Sequence, residues 1–176
     1  MASFSKFQTM KLAESIGVDV PRSVHFATAK ELKLKIAEDT QRYLSSNFLI
    51  KPNIGHGSSG IIYLQDFNDD SWGKFDLEKH FDQYGSQLLQ HRLSADGRSV
   101  GVSLLFDSDS QLVASFVHER ISSFPVSGGP STNRVGIRDD NLLEDSVKLL
   151  QKLNWQGVAM VEWKFDSTTG KPFCWK

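Results

Sequence analysis

The sequence predicts an α+β protein: two small lobes with mostly antiparallel sheets and a glycine-rich hairpin flap. Three observations predict it. Strand patterns follow one another through short turns more often than through helices. Helical stripes open the chain and return only late. The stretch "FLIKPNIGHGSSGIIYL" (48–64) joins one strand pattern to another through glycines and serines. The smaller lobe is expected over about residues 20–90, with the flap, and the larger over about 91–176.

Phe7, Met10, Ala13 and Ile16 recur near helical spacing, with Ser5 as a candidate N-cap and Gly17 as a stop. After the turn "DVPRS", Thr28 and Glu31 have the form of a capping box. Leu32, Ile36, Tyr43 and Leu44 continue on one broad stripe, which predicts a single second helix. "NFLIKP" and "SGIIYLQD" then read as strands bounded by Asn, Pro, Gly and Ser. A polar, aromatic-containing segment, "DSWGKFDLEKHFDQYG", follows with no assigned element. "QLLQHRL", "SVGVSLLF" and "LVASFVHERI" are strand patterns, the last two paired through "DSDSQ". "SSFPVSGGPSTN" has loop composition. Asp139 or Asp140 caps a helix with Leu142, Leu143, Val147, Leu150 and Leu153 on its apolar face. "GVAMVEWKFD", "STTGK" and "PFCWK" make a closing hairpin whose last strand has no exit turn, so the chain reads as truncated.

The 176 residues are 39% hydrophobic, with 12 Phe and 4 Trp, enough for one compact core or two small ones. A formal net charge of -1 gives no reason to expect nucleic acid. One cysteine, Cys174, excludes an internal disulfide and a cysteine-based zinc site. No apolar run approaches the ~18 residues of a membrane span, and "MASFSKFQTMK" is no secretory signal. The expectation is a soluble, cytoplasmic protein with neither nucleic acid nor membrane as partner.

The Gly-x-Gly-x-x-Gly at Gly55, Gly57 and Gly60 fits several designs, or a hairpin tip that merely needs positive φ. A dinucleotide site requires a helix after the glycines, whereas "IIYLQD" is a strand pattern. A P-loop requires Gly-Lys-Ser/Thr, which is missing. A protein kinase requires His-Arg-Asp and Asp-Phe-Gly; "HRL" and "DFN" each lack the decisive residue. A remaining design carries its lysine on the strand entering the loop, as Lys51 does.

At these residues the sequence resembles the ATP-grasp superfamily of carboxylate–amine and carboxylate–thiol ligases. "SKFQTMKLAESIGVDVPRS" resembles its lysine-bearing helix ending in Gly-Val-x-x-Pro, and "FLIKPNIGHGSSG" its strand and phosphate loop. "LLQHRL" resembles the hinge strand, "HERISSFPVSGGPST" the arginine strand with its loop, and "WQGVAMVEWKFDSTTGKP" the metal-site hairpin.

The resemblance implies ATP with Mg2+ (or Mn2+) as cofactors. It makes Lys51 a contact to the α- and β-phosphates, and Gly55, Gly57, Ser58, Ser59 and Gly60 the mobile flap whose backbone N–H groups approach the phosphates. Lys6 matches a second phosphate contact. Gln90, His91 and Leu93 would read the adenine, with His91 where relatives carry glutamate. Arg120 would stabilise charge on the transferring phosphoryl group, and Glu162 would hold the metal. Ser127 to Thr132 would border the acceptor. Each residue also has a plainer reading: solvated lysines at residues 6 and 51, a flexible hairpin tip, an arginine reaching water, and a carboxylate paired with a cross-strand cation. Lys176 stands where relatives carry a second acidic ligand, so at most half of the metal site is present. The implied reaction turns a small-molecule carboxylate into an acyl phosphate for attack by an amine or other nucleophile, with an additional domain or chain completing the site. A regulatory module that binds nucleotide without catalysis is the alternative.

Overall fold

The computed structural model describes residues 5–45, 47–55, 58–94, 96–124 and 131–175. By the described residues they contain, Gln8–Val20 and Leu93–Lys176 form a larger compact unit, and Phe4–Phe7 with Pro21–Arg92 a smaller one. No helix among the described residues is long and apolar enough to cross a membrane.

In the smaller unit, strands β1 (Ser23–Phe26), β2 (Phe48–Pro52), β3 (Ile62–Tyr63) and β4 (Gln87–His91) form a sheet in the order β1-β4-β2-β3. All three pairings are antiparallel. Period-two alternation sends Ile50, Leu89 and Ile62 to one face, where they form a core with helix residues Leu32, Ile36, Leu77 and Phe81. Each such side chain contributes roughly 1.5–3 kcal/mol when removed from water.

Several expectations change here. The single long second helix is two, α2 (Ala29–Ala37) and α3 (Thr40–Ser45). The capping box at Thr28 and Glu31 starts α2 as expected. The Asp39 carboxylate, however, accepts from the Arg42 N–H at 3.1 Å and so starts a new helix. Residues 68–84, left without an element, hold α4 (Asp69–Lys74), capped by Asn68, and α5 (Leu77–Tyr84), capped by Asp76. β1 takes in Ser23, the last residue of the expected turn, and residues 24–26, for which no element was expected. The strand after the glycines is only two residues long and passes into a 3-10 turn over Leu64–Asp66.

In the larger unit, the part of α1 (Lys6–Ser15) from Gln8 onward gives Ala13 to the core, and Val18 joins it just after the helix. β5 (Ser99–Phe106), β6 (Leu112–Ser123), β7 (Ser131–Gly136), β8 (Gly157–Phe165) and β9 (Pro172–Cys174) form an antiparallel sheet in the order β7-β6-β5-β8-β9. α6 (Asp140–Lys152), whose first turn is capped by the Asp139 carboxylate, lays Leu142, Leu149 and Leu150 on the face made by Val100, Val102, Leu104, Val161 and Trp163. The strands expected at 99–106, 112–121 and 157–166 are all present, the last ending at Phe165. β7 is a correction: Ser131 and Thr132, read as loop, open a strand that pairs with β6.

Candidate functional site

In the smaller unit, Lys51 lies on β2 opposite Leu88, on the face away from the core side chains Ile50 and Leu89. It is nonetheless only 4% exposed. An ammonium so far removed from water is retained only with polar or anionic company. β2 runs directly into the glycine segment, and β3 returns beside it with Leu49 opposite Tyr63 and Ile50 opposite Ile62. Among the described residues no helix follows the serines. Gly55, Ser58 and Gly60 all have positive φ, at 139°, 59° and 74°. Gly60 is also sterically fixed, because a Cβ there would meet Pro52 Cγ and Tyr84 Cδ1 at 2.8 Å. Ser59 is exposed at the turn. Gly57 lies outside the described residues.

The base of this segment is tied down. Lys6 Nζ donates to the Pro52 and Gly55 carbonyls, at 2.9 Å each, and the Asn53 side-chain oxygen accepts from Ser5 Oγ at 3.1 Å and from the Phe7 N–H at 3.0 Å. Lys6 thus has a third role, as a clasp on the entry to the flap. Asn53 is part of the clasp and was not singled out in the sequence.

Gln90 shares the face of Lys51 and donates from Nε2 to Ser23 Oγ at 2.7 Å. The His91 N–H is given to the Arg22 carbonyl at 2.9 Å and the Arg92 N–H to the Asn47 carbonyl at 2.6 Å. The His91 side chain is exposed, beside Phe48. Leu93 follows in the larger unit, half-buried. The Arg92 guanidinium lies 4.7 Å from the centre of the Tyr63 ring.

In the larger unit the sheet face opposite the helix-covered core carries the expected charged residues in registered rows. Arg120, Ser99, Lys164 and Arg134 form one row; His118, Gly101, Glu162 and Gly136 form the next. Arg120 Nη2 donates to Glu162 Oε1, joining the two residues expected to serve the phosphoryl group and the metal. This is the cross-strand ion pair that sequence reading set beside the metal role. The His118 ring fills the space over Gly101, where a Cβ would stand 2.6 Å from Cε1 and Nε2. His118 is 1% exposed, and among the described residues neither ring nitrogen has a hydrogen-bond partner. Burial, then the charges of Arg134 and Arg120, hold its pKa below the usual histidine range, against the opposing pull of Glu162.

Burial likewise lowers His80 in the smaller unit, against the raising effects of the Gln87 side chain and the Gly60 backbone. Both imidazoles take up a proton less readily when folded, so the unfolded chain binds more protons near their ordinary pKa of 6.5. Their stabilising contribution is complete above that value and is lost as pH falls towards the depressed folded values. Urea unfolding midpoints should therefore drop below about pH 6.5, and His118→Phe should flatten that drop; an equally steep profile in the variant would refute the assignment.

The described residues include no group of three His, Cys, Asp or Glu placed to hold a metal ion. Glu162 is a single carboxylate already engaged by Arg120, so these residues do not make a Mg2+ site by themselves. Lys176 and Ser127–Pro130 lie outside the described residues.

No protein-family model matches the sequence, and no curated protein does. Solved structures do. D-alanine–D-alanine ligase from Bacillus anthracis, complexed with ATP, is matched at a TM-score of 0.65 and 16% identity over 98% of this chain and 53% of that one. The ATP-grasp ligase PsnB, complexed with precursor peptide PsnA2 and AMPPNP, is matched at 0.61 and 17% over 98% and 48%. This chain has the ATP-grasp fold. The biotin carboxylase domain of Hydrogenobacter thermophilus 2-oxoglutarate carboxylase, in complex with MgADP, ADP and bicarbonate, is matched at 0.74 and 14% over 99% and 39%. The chain spans about half the length of these ATP-grasp structures or less. The α+β class, the antiparallel sheets and the resemblance first read in five short motifs agree with them.

Proposed function

We propose that the chain is the ATP-binding part of an ATP-dependent ligase that activates a carboxylate as an acyl phosphate. The observation that carries this is Lys51, 4% exposed on the strand that enters a glycine segment in an ATP-grasp fold. A compact ammonium there suits the α- and β-phosphates, and Gly55, Ser58, Ser59 and Gly60, with Gly57, offer backbone and hydroxyl donors. Gln90, His91 and Leu93 frame the adenine. Lys6 acts by fixing the flap's entry rather than by reaching phosphate. Arg120, given up by Glu162, stabilises the negative charge of the phosphoryl group in transit to the carboxylate oxygen. The acyl phosphate is then attacked by an amine or another nucleophile. Positioning and charge supply the rate, with no covalent enzyme intermediate. A further domain or chain completes the acceptor side, and the site of action is the cytoplasm.

A second reading, a nucleotide-binding module without catalysis, is favoured by the engagement of Glu162 with Arg120. Thermal shift with ATP, ADP and GTP, with and without Mg2+, separates the two. The ligase reading expects ATP to stabilise the chain, Mg2+ to add to it, and Glu162→Gln to remove the Mg2+ increment. ATP stabilisation indifferent to Mg2+ selects the module; no shift with any nucleotide overturns both.

A further inference from the structure

The open face of the larger sheet changes character along its strands. The row of Arg120, Arg134 and Lys164 is followed by that of His118 and Glu162, then by Phe116 and Met160 on either side of Ser103, then by Ala114 and Val158 on either side of Leu105. Alternate residues of a strand are ~6.7 Å apart, so the face passes from cationic to apolar within ~13 Å. Phe116 is 52% and Met160 44% exposed on this surface, and Leu105 and Val158 are exposed beyond them.

Two features indicate what belongs there. Arg120 and Arg134 stand directly opposite each other on paired strands, an unfavourable juxtaposition of like charges. Glu162 offsets Arg120, but the Arg134 side chain has neither an ion pair nor a hydrogen bond among the described residues. Between the cations and the apolar rows lies His118, stacked on Phe116 with ring centroids 5.6 Å apart, its two nitrogens without a hydrogen-bond partner among the described residues. Its imidazole is buried over Gly101 and supports Phe116 from below.

We propose that this face binds the acceptor as an amphipathic carboxylic acid, its carboxylate held by Arg134 beside Arg120 and its apolar chain lying over Phe116 and Met160. That the bound acid is the acceptor rests on the ligase reading; the binding itself does not. The site therefore selects acids with an apolar body over small hydrophilic acids. Charge complementarity fixes the head group, and the exposed side chains fix the tail.

Amide NMR titration of the whole chain with hexanoate, acetate and 1-hexanol tests this. Hexanoate is expected to bind more tightly than acetate, which lacks the chain, and than hexanol, which lacks the charge, with shifts gathered around Gly101, His118 and Gly136. Arg134→Gln should weaken hexanoate by about tenfold, the loss of one charge-assisted contact, and Phe116→Ser should erase the advantage over acetate while the spectrum shows a retained fold. Hexanoate binding no better than acetate, or unaltered by Arg134→Gln, overturns the site. ATP is titrated into the same samples. Nucleotide binding without hexanoate binding overturns the acid site alone, whereas hexanoate binding that depends on Arg134 without nucleotide binding upholds the site and overturns the ligase reading.

Discussion

Trp163→Ala is expected to lower the unfolding free energy by about 3 to 5 kcal/mol, the usual cost of truncating a fully buried large aromatic residue. Trp163 is among the largest fully buried side chains and packs on β8 against the core formed with α6. Its indole N–H donates to Ser146 Oγ at 2.9 Å, and that hydroxyl donates to the Leu142 carbonyl at 2.6 Å. The ring therefore fills volume and also ties the sheet to the helix through a buried polar chain. Removing it opens a cavity bordered by strand and helix, which cannot close without moving one of them. Trp163→Phe separates the contributions. It keeps most of the volume, and Ser146 keeps its own acceptor, so the expected cost is about 1 to 2 kcal/mol. Urea unfolding monitored by circular dichroism measures both. A cost for the alanine variant no larger than for phenylalanine would show that the core does not depend on this ring.

Trp163 also illustrates what could be read from the sequence. Alternation in "VAMVEWKF" places Val161 and Trp163 on one side of a strand and Glu162 on the other, and the structure agrees because this strand is buried on its core face. Period, caps and turns gave β5, β6, β8 and α6 for the same reason: each is long enough to repeat its pattern. The misses are short elements. α4 and α5 span six and eight residues, too few for a stripe to stand out. β1 has four residues, of which only Phe26 is buried. β7 exists because β6 offers it a pairing edge, and that information lies in another part of the chain.

The same limit applies to the site. Lys51 could be singled out in the sequence because the glycine segment follows it within a few residues. Arg134 could not, since its significance comes from standing opposite Arg120 across two bulged registers. The engagement of Arg120 with Glu162 was foreseen only in general terms, as a cross-strand cation for a lone carboxylate. Which cation it is depends on pairing through β5, which sets Arg120 and Glu162 in adjacent rows of one face.

Lys51→Ala is expected to weaken ATP binding by about 1.5 to 3 kcal/mol, the range for losing a hydrogen bond to a charged group. The charge at this position matters more than its bulk, so Lys51→Met, which keeps much of the volume, should lose as much as the alanine variant. Lys51→Arg retains the charge but spreads it over a planar fork, and should fall between parent and methionine. The loss should not come from misfolding, because the core side chains on either side, Ile50 and Leu89, project to the other face of the sheet. Melting of each variant without nucleotide tests that directly, and removal of a buried ammonium leaves the apo protein at least as stable wherever its desolvation outweighs its contacts. Calorimetric titration with ATP and ADP gives the affinities. A decrease of similar size for both nucleotides places Lys51 at the phosphates they share, whereas a decrease confined to ATP moves it to the terminal phosphate. Parent-like affinity in a folded Lys51→Met variant would remove the residue from the site, and with it the observation on which the nucleotide reading stands.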